Sequence, residues 1–388
     1  MRRLRFEYAV RNLGRSPTRL VLSVLGSVLV VMLVITAAAF VRGIETSLIS
    51  SGSEKNVMLL GVGSEESIER SEITPAAPSM VTASVGGIKT RLGIPYVSPE
   101  VHMAMMFAED AGREADMRAV VRGITPSAFL VHDQVRIIAG RAPEQGKDEI
   151  MVGQLTAARM GLPSERLGVG NTVWFDNRPW TIVGNFTAPG TVMDAEIWCP
   201  ISDLLIAAKR VSYSCIVLTL DTAELADVEE FAATRLDLEL AVMPEKQYYK
   251  KLIEFYKPVR WMIWITAVLI ATGGMFGGLN TMYAAFSARF REIGMLQSLG
   301  YSRRAVVLSF MQESLLISAI GALIGSTLSL VLLDGIAIRI NLGAFGLVLD
   351  TATIAMGLLA GLFLGLFGAI PAAVRCLRLP IAEALKAS

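Results

Sequence analysis

Residues that could act in catalysis or bind a metal are few and far apart in this sequence. Only two histidines occur, His102 and His132, and neither has a cysteine or carboxylate at the spacing of a metal-site motif. The segment 140–147 resembles a phosphate-binding loop, but it has one residue too many between its glycines, and Asp148 stands where Ser or Thr is required. We therefore expect this chain to have no enzymatic activity and to hold no metal and no cofactor.

Two of the three cysteines, Cys199 and Cys215, fall in the polar middle of the chain. A disulfide between them is permitted if that region lies in an oxidising compartment. Two buried free thiols are the alternative. The sequence does not give the distance between the two cysteines, so both interpretations stay open at this point.

The composition of the chain is that of a membrane protein. Of 388 residues, 53% are hydrophobic and 18% are charged, and the mean hydropathy is +0.52. Soluble domains have about 45–50% apolar and about 25% charged residues. The net charge of +1 gives no field that would recruit nucleic acid, so a nucleic-acid partner is not expected.

The apolar residues concentrate in four segments, each long enough to cross a hydrocarbon core of about 30 Å. They predict an α-helical membrane protein with four transmembrane helices and a mixed α/β extracytoplasmic domain inserted between helices 1 and 2. Lys and Arg cluster before the first span, between the second and third, and after the fourth, which places both termini in the cytoplasm. A cleavable signal peptide ending near Ala39 is the alternative for the first span, but the apolar run is longer than a signal sequence requires.

These patterns divide the chain into nine segments. They are a cytoplasmic N-terminal amphipathic segment (1–19), transmembrane helix 1 (20–42), the extracytoplasmic domain (43–258), transmembrane helix 2 (259–286), a cytoplasmic loop helix (287–304), transmembrane helix 3 (305–333), an extracytoplasmic loop (334–350), transmembrane helix 4 (351–374) and a cytoplasmic tail (375–388). Within the extracytoplasmic domain, the sequence predicts strands at 55–60, 171–175, 180–183 and 212–220, and helices at 153–160, 225–235 and 245–256.

Glycines recur at four-residue spacing in the second and fourth spans. The candidate helix-packing positions are Gly273, Gly277, Gly357, Gly361 and Gly365. Small residues at this spacing let helix backbones approach closely in lipid, within one bundle or between two copies. Glycine is also common in membrane helices generally, so the alternative is composition without a packing role. The triplet in the fourth span is the stronger candidate.

Glu313 is the only charged residue inside the third span. An ionisable group at this depth is a candidate functional residue by default. The alternatives are a side chain that reaches the cytoplasmic interface or one that hydrogen-bonds a neighbouring helix. We favour a structural role for Glu313.

The loop between the second and third spans carries the most specific pattern. Phe290, Ile293, Leu296 and Leu299 recur at helical spacing. Gly300 is suited to end a helix, and the following Ser302 is suited to cap the next one. The pattern predicts a short amphipathic helix on the cytoplasmic side.

This loop resembles a known family. Its sequence R-E-I-G-M-L-Q-S-L-G-Y-S is similar to the E-I-G-x-L-x-A-L-G-A-S signature of MacB/FtsX-type ABC-transporter permeases, also called type VII. The start Arg11-Asn12-Leu13 and the tail segments 370–375 and 379–385 are similar to the ends of that family. Segments 148–153, 170–173 and 180–184 resemble its MacB-like periplasmic domain.

The resemblance implies a permease in the bacterial cytoplasmic (inner) membrane, with the loop helix as the coupling helix that docks on a cytoplasmic ATPase dimer. The residues that match this helix are Arg289, Arg291, Glu292, Ile293, Met295, Leu296 and Leu299. ATP and Mg would bind in that separate ATPase, and the other implied partners are a second permease copy (identical or a paralogue), a periplasmic adaptor protein and the lipid bilayer. The implied function is mechanotransmission, in which ATP hydrolysis moves the extracytoplasmic domain to export or extract a lipid, lipoprotein, peptide or hydrophobic small molecule.

Two other functions remain open at this stage. One is an FtsX-like regulator that transmits a signal to a cell-wall hydrolase. The other is a membrane sensor or anchor without transport activity. The large extracytoplasmic domain favours export over the first, and the shortness of the cytoplasmic segments disfavours the second.

Overall fold

The structure is a computed structural model that describes residues 6–13, 17–110, 112, 115–175, 178–340 and 343–377. The chain forms two compact units. The first, the membrane unit, comprises the described residues of 1–42, 258–335 and 347–388. The second, the α/β domain, comprises those of 43–257 and 336–346.

Helices and strands are numbered in chain order. The α-helices of the described residues are α1 (Phe6–Leu13), α2 (Pro17–Ser51), α3 (Ala77–Ser84), α4 (Ala128–Val131), α5 (Thr156–Met160), α6 (Ile201–Ala207), α7 (Leu225–Thr234), α8 (Glu245–Phe255), α9 (Lys257–Ser287), α10 (Phe290–Ser298), α11 (Arg303–Leu333) and α12 (Thr351–Leu377). The strands are β1 (Asn56–Gly61), β2 (Thr90–Arg91), β3 (Ile94–Pro95), β4 (Val97–Phe107), β5 (Met117–Ile124), β6 (Arg136–Gly140), β7 (Glu149–Gly153), β8 (Thr172–Phe175), β9 (Arg178–Thr187), β10 (Glu196–Pro200), β11 (Cys215–Thr219), β12 (Leu240–Pro244), β13 (Ala337–Ile340) and β14 (Gly343–Gly346).

In the part of the chain that the structure describes, four helices are long and apolar enough to cross a membrane: α2, α9, α11 and α12. The predicted architecture of four spans with an α/β domain between the first and second is therefore confirmed. The helix α2 continues to Ser51, beyond the predicted end at residue 42. At about 1.5 Å per residue, its 35 residues extend roughly 50 Å, longer than a hydrocarbon core.

The short helix α10 lies between α9 and α11, as the amphipathic pattern predicts. Gly300 follows it with a φ of +87°, a conformation that glycine adopts without steric cost. The Ser302 hydroxyl then accepts a hydrogen bond from the Ala305 N–H at 3.2 Å and caps α11. These two residues turn the chain sharply from α10 into the next span.

The α/β domain is built on one mixed sheet with the strand order β12-β1-β11-β4-β5-β10-β7-β9-β6, and β8 pairs with β9. Neighbouring strands are antiparallel except for β5 with β10 and β7 with β9. One apolar cluster includes Val101, Ile182 and Cys199, and a second includes Leu59 and Ile216. These two clusters form much of the core that holds the sheet against its helices.

The loop predicted at 334–350 contains a β-hairpin, β13–β14, that belongs to the α/β domain. Its end lies against the start of the domain, where the backbone oxygen of Gly346 and the ring of Phe345 approach Gly43. A side chain at residue 43 would overlap the Gly346 oxygen, so glycine is needed for this approach. The loop is therefore structured by the domain rather than by the spans it connects.

Candidate functional site

The surface of α10 is the candidate docking surface predicted from the sequence. Arg291, Met295 and Leu299 are exposed, with the two apolar side chains 54% and 61% accessible. Glu292 and Leu296 are half-buried, and the Phe290 and Ile293 side chains lie outside the described part of the chain. Two large exposed apolar groups beside a cation are typical of a surface that a partner protein covers.

Arg289 does not belong to that surface. Its Nη1 donates to Glu313 Oε2 at 2.9 Å, and the two residues are only 8% and 1% exposed. The burial and pairing of Arg289 therefore correct its predicted place on the docking surface. The pair joins the residue immediately before α10 to the third turn of α11, so it sets where α10 begins.

Buried aromatic residues stand three positions before each member of this ion pair in the chain. Phe286 of α9 and Phe310 of α11 stack with ring centroids 4.2 Å apart, and both are buried. A charge in such surroundings is costly unless it is paired. The Arg289–Glu313 pair is thus a fixed structural joint between the short helix and the span that follows it.

The glycine ridge of α12 packs within the chain. A Cβ at Gly361 would lie 2.8 Å from both Ala322 of α11 and Val31 of α2, and side chains at Gly357 and Gly365 would overlap Ile35 and Ser318. These glycines therefore let three spans approach closely.

Gly273 and Gly277 do not make the predicted close contacts. Among the described residues, nothing lies within 4 Å of a Cβ built at either position, and it is Gly274 that approaches Val30 instead. A cavity of about 280 Å³ opens here, lined by small residues of α2, α9, α11 and α12, including Gly277 and Ser318. Gly273 and Gly277 are thus not in close contact with the other described residues of the membrane unit.

The α/β domain contains a buried charged network that the sequence analysis missed. Arg122 of β5 donates two hydrogen bonds to Glu196 of β10, at 2.7 and 2.8 Å, and a third to Glu100 of β4 at 2.9 Å. Glu100 also lies 3.1 Å from His102 Nε2 and 2.7 Å from His132 Nε2. All five residues are at most 5% exposed.

The electrostatics of this network differ between its members. Burial tends to raise the pKa of Glu100, but His132, Arg122 and the two histidine hydrogen bonds outweigh it and hold that pKa well below its usual value. Burial tends to lower the pKa of His132, but the charge and hydrogen bond of Glu100 and the charge of Glu245 leave it raised. The pKa of His102 is lowered by burial and by Arg122. His132 is therefore the histidine that holds a proton more readily.

Glu245, the first residue of α8, extends the network to the edge of the domain. Its Oε2 accepts hydrogen bonds from the Ser53 N–H and from Asn56 Nδ2, both at 2.9 Å. Its Oε1 lies 3.9 Å from His132 Nδ1. Burial raises the pKa of Glu245. The carboxylate thus joins residues that follow α2 to the start of the helix that leads into α9.

Three residues of this region have ligand atoms close enough for one metal ion: Glu100, His102 and Cys215. The Cys215 Sγ lies 4.0 Å from Glu100 Oε2. However, the Arg122 guanidinium already occupies that oxygen, and burial and the Glu100 charge raise the pKa of the thiol. A protonated thiol beside a cation is a poor metal ligand, so the chemistry of this group fits an ion-pair network.

The structure contradicts a disulfide between Cys199 and Cys215. Both are free and buried. Cys199 pairs with Gly123 on β5, whereas Cys215 pairs with Glu100 on β4, so two strands separate β10 from β11. Three strand spacings amount to roughly 14 Å, about twice the Cα separation that a disulfide spans.

Comparisons with known proteins cover both units. The model of the MacB-like periplasmic core domain matches residues 20–234, and that of the FtsX-like permease C-terminal region matches residues 264–381. The chain is 22% identical over 378 residues to the uncharacterized ABC transporter permease YknZ of Bacillus subtilis, covering 91% of each chain. The crystal structure of the periplasmic region of MacB from Actinobacillus actinomycetemcomitans covers 54% of this chain and 97% of its own, with 16% identity and a TM-score of 0.38.

A further relative is much longer than the part that matches. The macrolide export ATP-binding/permease protein MacB of Campylobacter jejuni is 31% identical over 109 residues, which are 28% of this chain and 16% of that protein. This chain therefore spans well under two thirds of the MacB protein that it matches.

Proposed function

Because this chain belongs to the family of FtsX-like permeases with a MacB-like periplasmic core domain, we propose that it is the membrane subunit of an ABC transporter and moves its α/β domain when a separate ATPase hydrolyses ATP. The observation that carries this proposal is α10. It presents Met295 and Leu299 to solvent while the Arg289–Glu313 pair ties its start to α11. A helix that is both exposed and anchored can transmit a push from a docked protein to a span.

The continuity of the helices supports a mechanical role. The helix α2 runs unbroken from a transmembrane span into the α/β domain, and α8 is followed directly by α9. Glycine-mediated contacts of α12 with α2 and α11 join three of the four spans. Displacement of α11 would therefore be passed to α2 and from there to the domain.

We further propose that the chain lies in the bacterial cytoplasmic membrane with its termini inside, and that the ATPase is a dimer that binds ATP and Mg. The basic residues on one side of the four spans support this orientation. The lack of close contacts at Gly273 and Gly277 among the described residues supports a second permease copy, identical or a paralogue, as a neighbour in the membrane. A periplasmic adaptor would contact the α/β domain.

The cargo that fits best is a lipid, lipoprotein, peptide or hydrophobic small molecule. Glu313, a charged residue within α11, is paired with Arg289. Because this charge is already paired, it does not favour a polar path for ions through the spans. The name of the Campylobacter relative refers to macrolide export by that protein. An FtsX-like regulator and a sensor would share the fold but would move no cargo.

The proposal is tested by purifying the full chain with its bound proteins from gently solubilised membranes. A stoichiometric cytoplasmic ATPase is the expected partner. Met295→Glu should reduce recovery of the ATPase about tenfold or more, since it places an uncompensated charge in an apolar contact. Gln297→Glu is the matched control, because residue 297 lies about 200° away around the same helix and should leave recovery unchanged.

Loss of the ATPase in both variants would show that α10 has been disrupted generally. Full recovery with Met295→Glu would contradict docking through this surface. Absence of any ATPase from the unmodified chain would favour a sensor or anchor.

A further inference from the structure

Glu245 lies where the chain enters and leaves the α/β domain. The incoming segment is Ser53 to Asn56, which follows α2, and the outgoing segment is α8, which leads to α9. One carboxylate oxygen of Glu245 accepts from both the Ser53 N–H and Asn56 Nδ2. Glu245 therefore holds together two segments that are 189 or more positions apart in the chain.

The backbones of these segments also approach closely beside Glu245. A Cβ at Gly52 would lie only 2.8 Å from the Lys246 Cα. On the exposed side, Lys246 pairs with Glu54. Because exposed pairs contribute little, the buried Glu245 contacts are the principal polar connection here.

His132 faces Glu245 with an unpartnered atom. The imidazole is fully buried, and its Nε2 lies 2.7 Å from Glu100. Its Nδ1 has no hydrogen-bond partner among the residues that the structure describes, and it lies 3.9 Å from Glu245 Oε1. When His132 carries a proton on both nitrogens, its charge sits between two carboxylates. When Nδ1 loses that proton, its lone pair faces the Glu245 carboxylate.

We propose that Glu245 is a clamp between the incoming and outgoing segments of the α/β domain, and that protonation of His132 tightens it. Glu245 acts as a positioning residue, because it fixes the segment that follows α2 against the helix that leads into α9. Its part in transport rests on the proposed function, but the clamp itself depends only on contacts inside the α/β domain.

The remaining charged and titratable neighbours set the direction of the pH effect. Glu100 faces His132 from β4, and the cation of Arg122 faces it from β5. Tyr249, on α8, and Cys215, on β11, lie near Glu245 and have raised pKa values, so both stay neutral near pH 7. His132 and Glu245 are therefore the members of this group that can change charge on the clamp.

The sign follows from the two raised pKa values. A histidine with a raised folded-state pKa stabilises fully below its unfolded value of about 6.5, and this contribution is lost as pH rises through the folded value. A buried carboxyl with a raised pKa is penalised increasingly as pH rises above about 4.3 towards its folded value. Where both groups are charged, loss of the His132 proton removes its attraction to the Glu245 carboxylate, so the clamp is tighter in mildly acidic than in alkaline solution.

Hydrogen–deuterium exchange of the full chain in lipid nanodiscs tests this inference without any ATPase. The amide of Ser53 reports the clamp directly, because it donates to Glu245. The amide of Val192 is an internal reference, because it donates to the Ser51 hydroxyl and does not involve Glu245. The ratio of the two rates cancels the general effect of pH on exchange.

Glu245→Ala should raise the Ser53 to Val192 ratio about tenfold or more, as expected for loss of a hydrogen bond to a charged acceptor. In the unmodified chain the ratio should rise several-fold between about pH 6 and pH 8.5. Glu245→Gln should keep the ratio low and independent of pH, because its oxygen can accept from Ser53 while its amide donates to His132 Nδ1.

An unchanged ratio in Glu245→Ala would overturn the clamp. A ratio that does not vary with pH in the unmodified chain, or that varies equally in Glu245→Gln, would overturn the role of His132. If Glu245→Ala does not fold, the comparison of Glu245→Gln with the unmodified chain still tests the predicted pH dependence of the exchange ratio. These exchange results do not depend on whether an ATPase is recovered with the chain. The clamp and the proposed transporter function can therefore be refuted independently.

Discussion

Removing one partner of the Arg289–Glu313 pair should destabilise the membrane unit strongly. The Glu313 side chain is 1% exposed and that of Arg289 is 9% exposed, with 2.9 Å between Nη1 and Oε2. Arg289→Met leaves the Glu313 charge buried, and Glu313→Leu leaves the Arg289 charge buried. Each single change should therefore cost about 3–5 kcal/mol of unfolding free energy.

The double variant Arg289→Met with Glu313→Leu should behave differently. It removes both charges and fills their buried space with apolar groups. Replacing a buried pair in this way is commonly neutral or stabilising by about 1–4 kcal/mol. The four proteins form a double-mutant cycle, in which the coupling energy should exceed about 2 kcal/mol.

Unfolding in denaturing detergent, followed by tryptophan fluorescence, measures these free energies. The exposed pair Lys257–Glu254, with a 3.4 Å separation, provides the control. Glu254→Gln should leave the unfolding midpoint unchanged, since exposed pairs contribute little. Single variants of the buried pair that also leave the midpoint unchanged would refute the conclusion that this pair fixes α10 to α11.

Two further predictions concern packing and redox state. Gly361→Leu should destabilise the membrane unit by about 1–3 kcal/mol or more, since a Cβ there already lies 2.8 Å from Ala322 and Val31, whereas Gly277→Ala should have little effect in the same detergent assay. An unaffected Gly361→Leu would contradict the close packing of α12. Cys199 and Cys215 should resist thiol reagents in the folded chain and react after unfolding without a reductant, as counted by mass spectrometry, because both are buried and unbonded. Thiols that react only after reduction would contradict this.

The sequence predicts the spans well because membrane crossing is a local property. An apolar run of sufficient length can be recognised without any other part of the chain, and Gly300 and Ser302 mark the turn between α10 and α11 by their own backbone preferences. The docking assignment of Arg289 failed for a different reason. Helical spacing shows which residues share a face, but it does not show that Glu313 of the next helix reaches that face.

The buried network was missed because its members come together only through long-range pairing. Glu100 meets His132 across 32 positions, and Asn56 meets Glu245 across 189. One local signal was present. Ser98, Glu100 and His102 alternate along β4, so three polar side chains point to one face of a largely buried strand. Such a row inside an apolar strand predicts polar partners on its neighbours, although not which residues they are.

The end of α2 is hydrogen-bonded to other parts of the α/β domain. The Ser51 hydroxyl donates to the Ser47 carbonyl within α2 and accepts from the Val192 N–H of the domain. Two residues later, the Ser53 N–H donates to Glu245. A shift of this end of α2 along its axis must therefore either carry the 192–195 turn and α8 with it or break these two hydrogen bonds. Since a hydrogen bond contributes about 0.5–1.5 kcal/mol, and one to a charged group about 1.5–3 kcal/mol, small movements of this end of α2 are expected to keep both contacts.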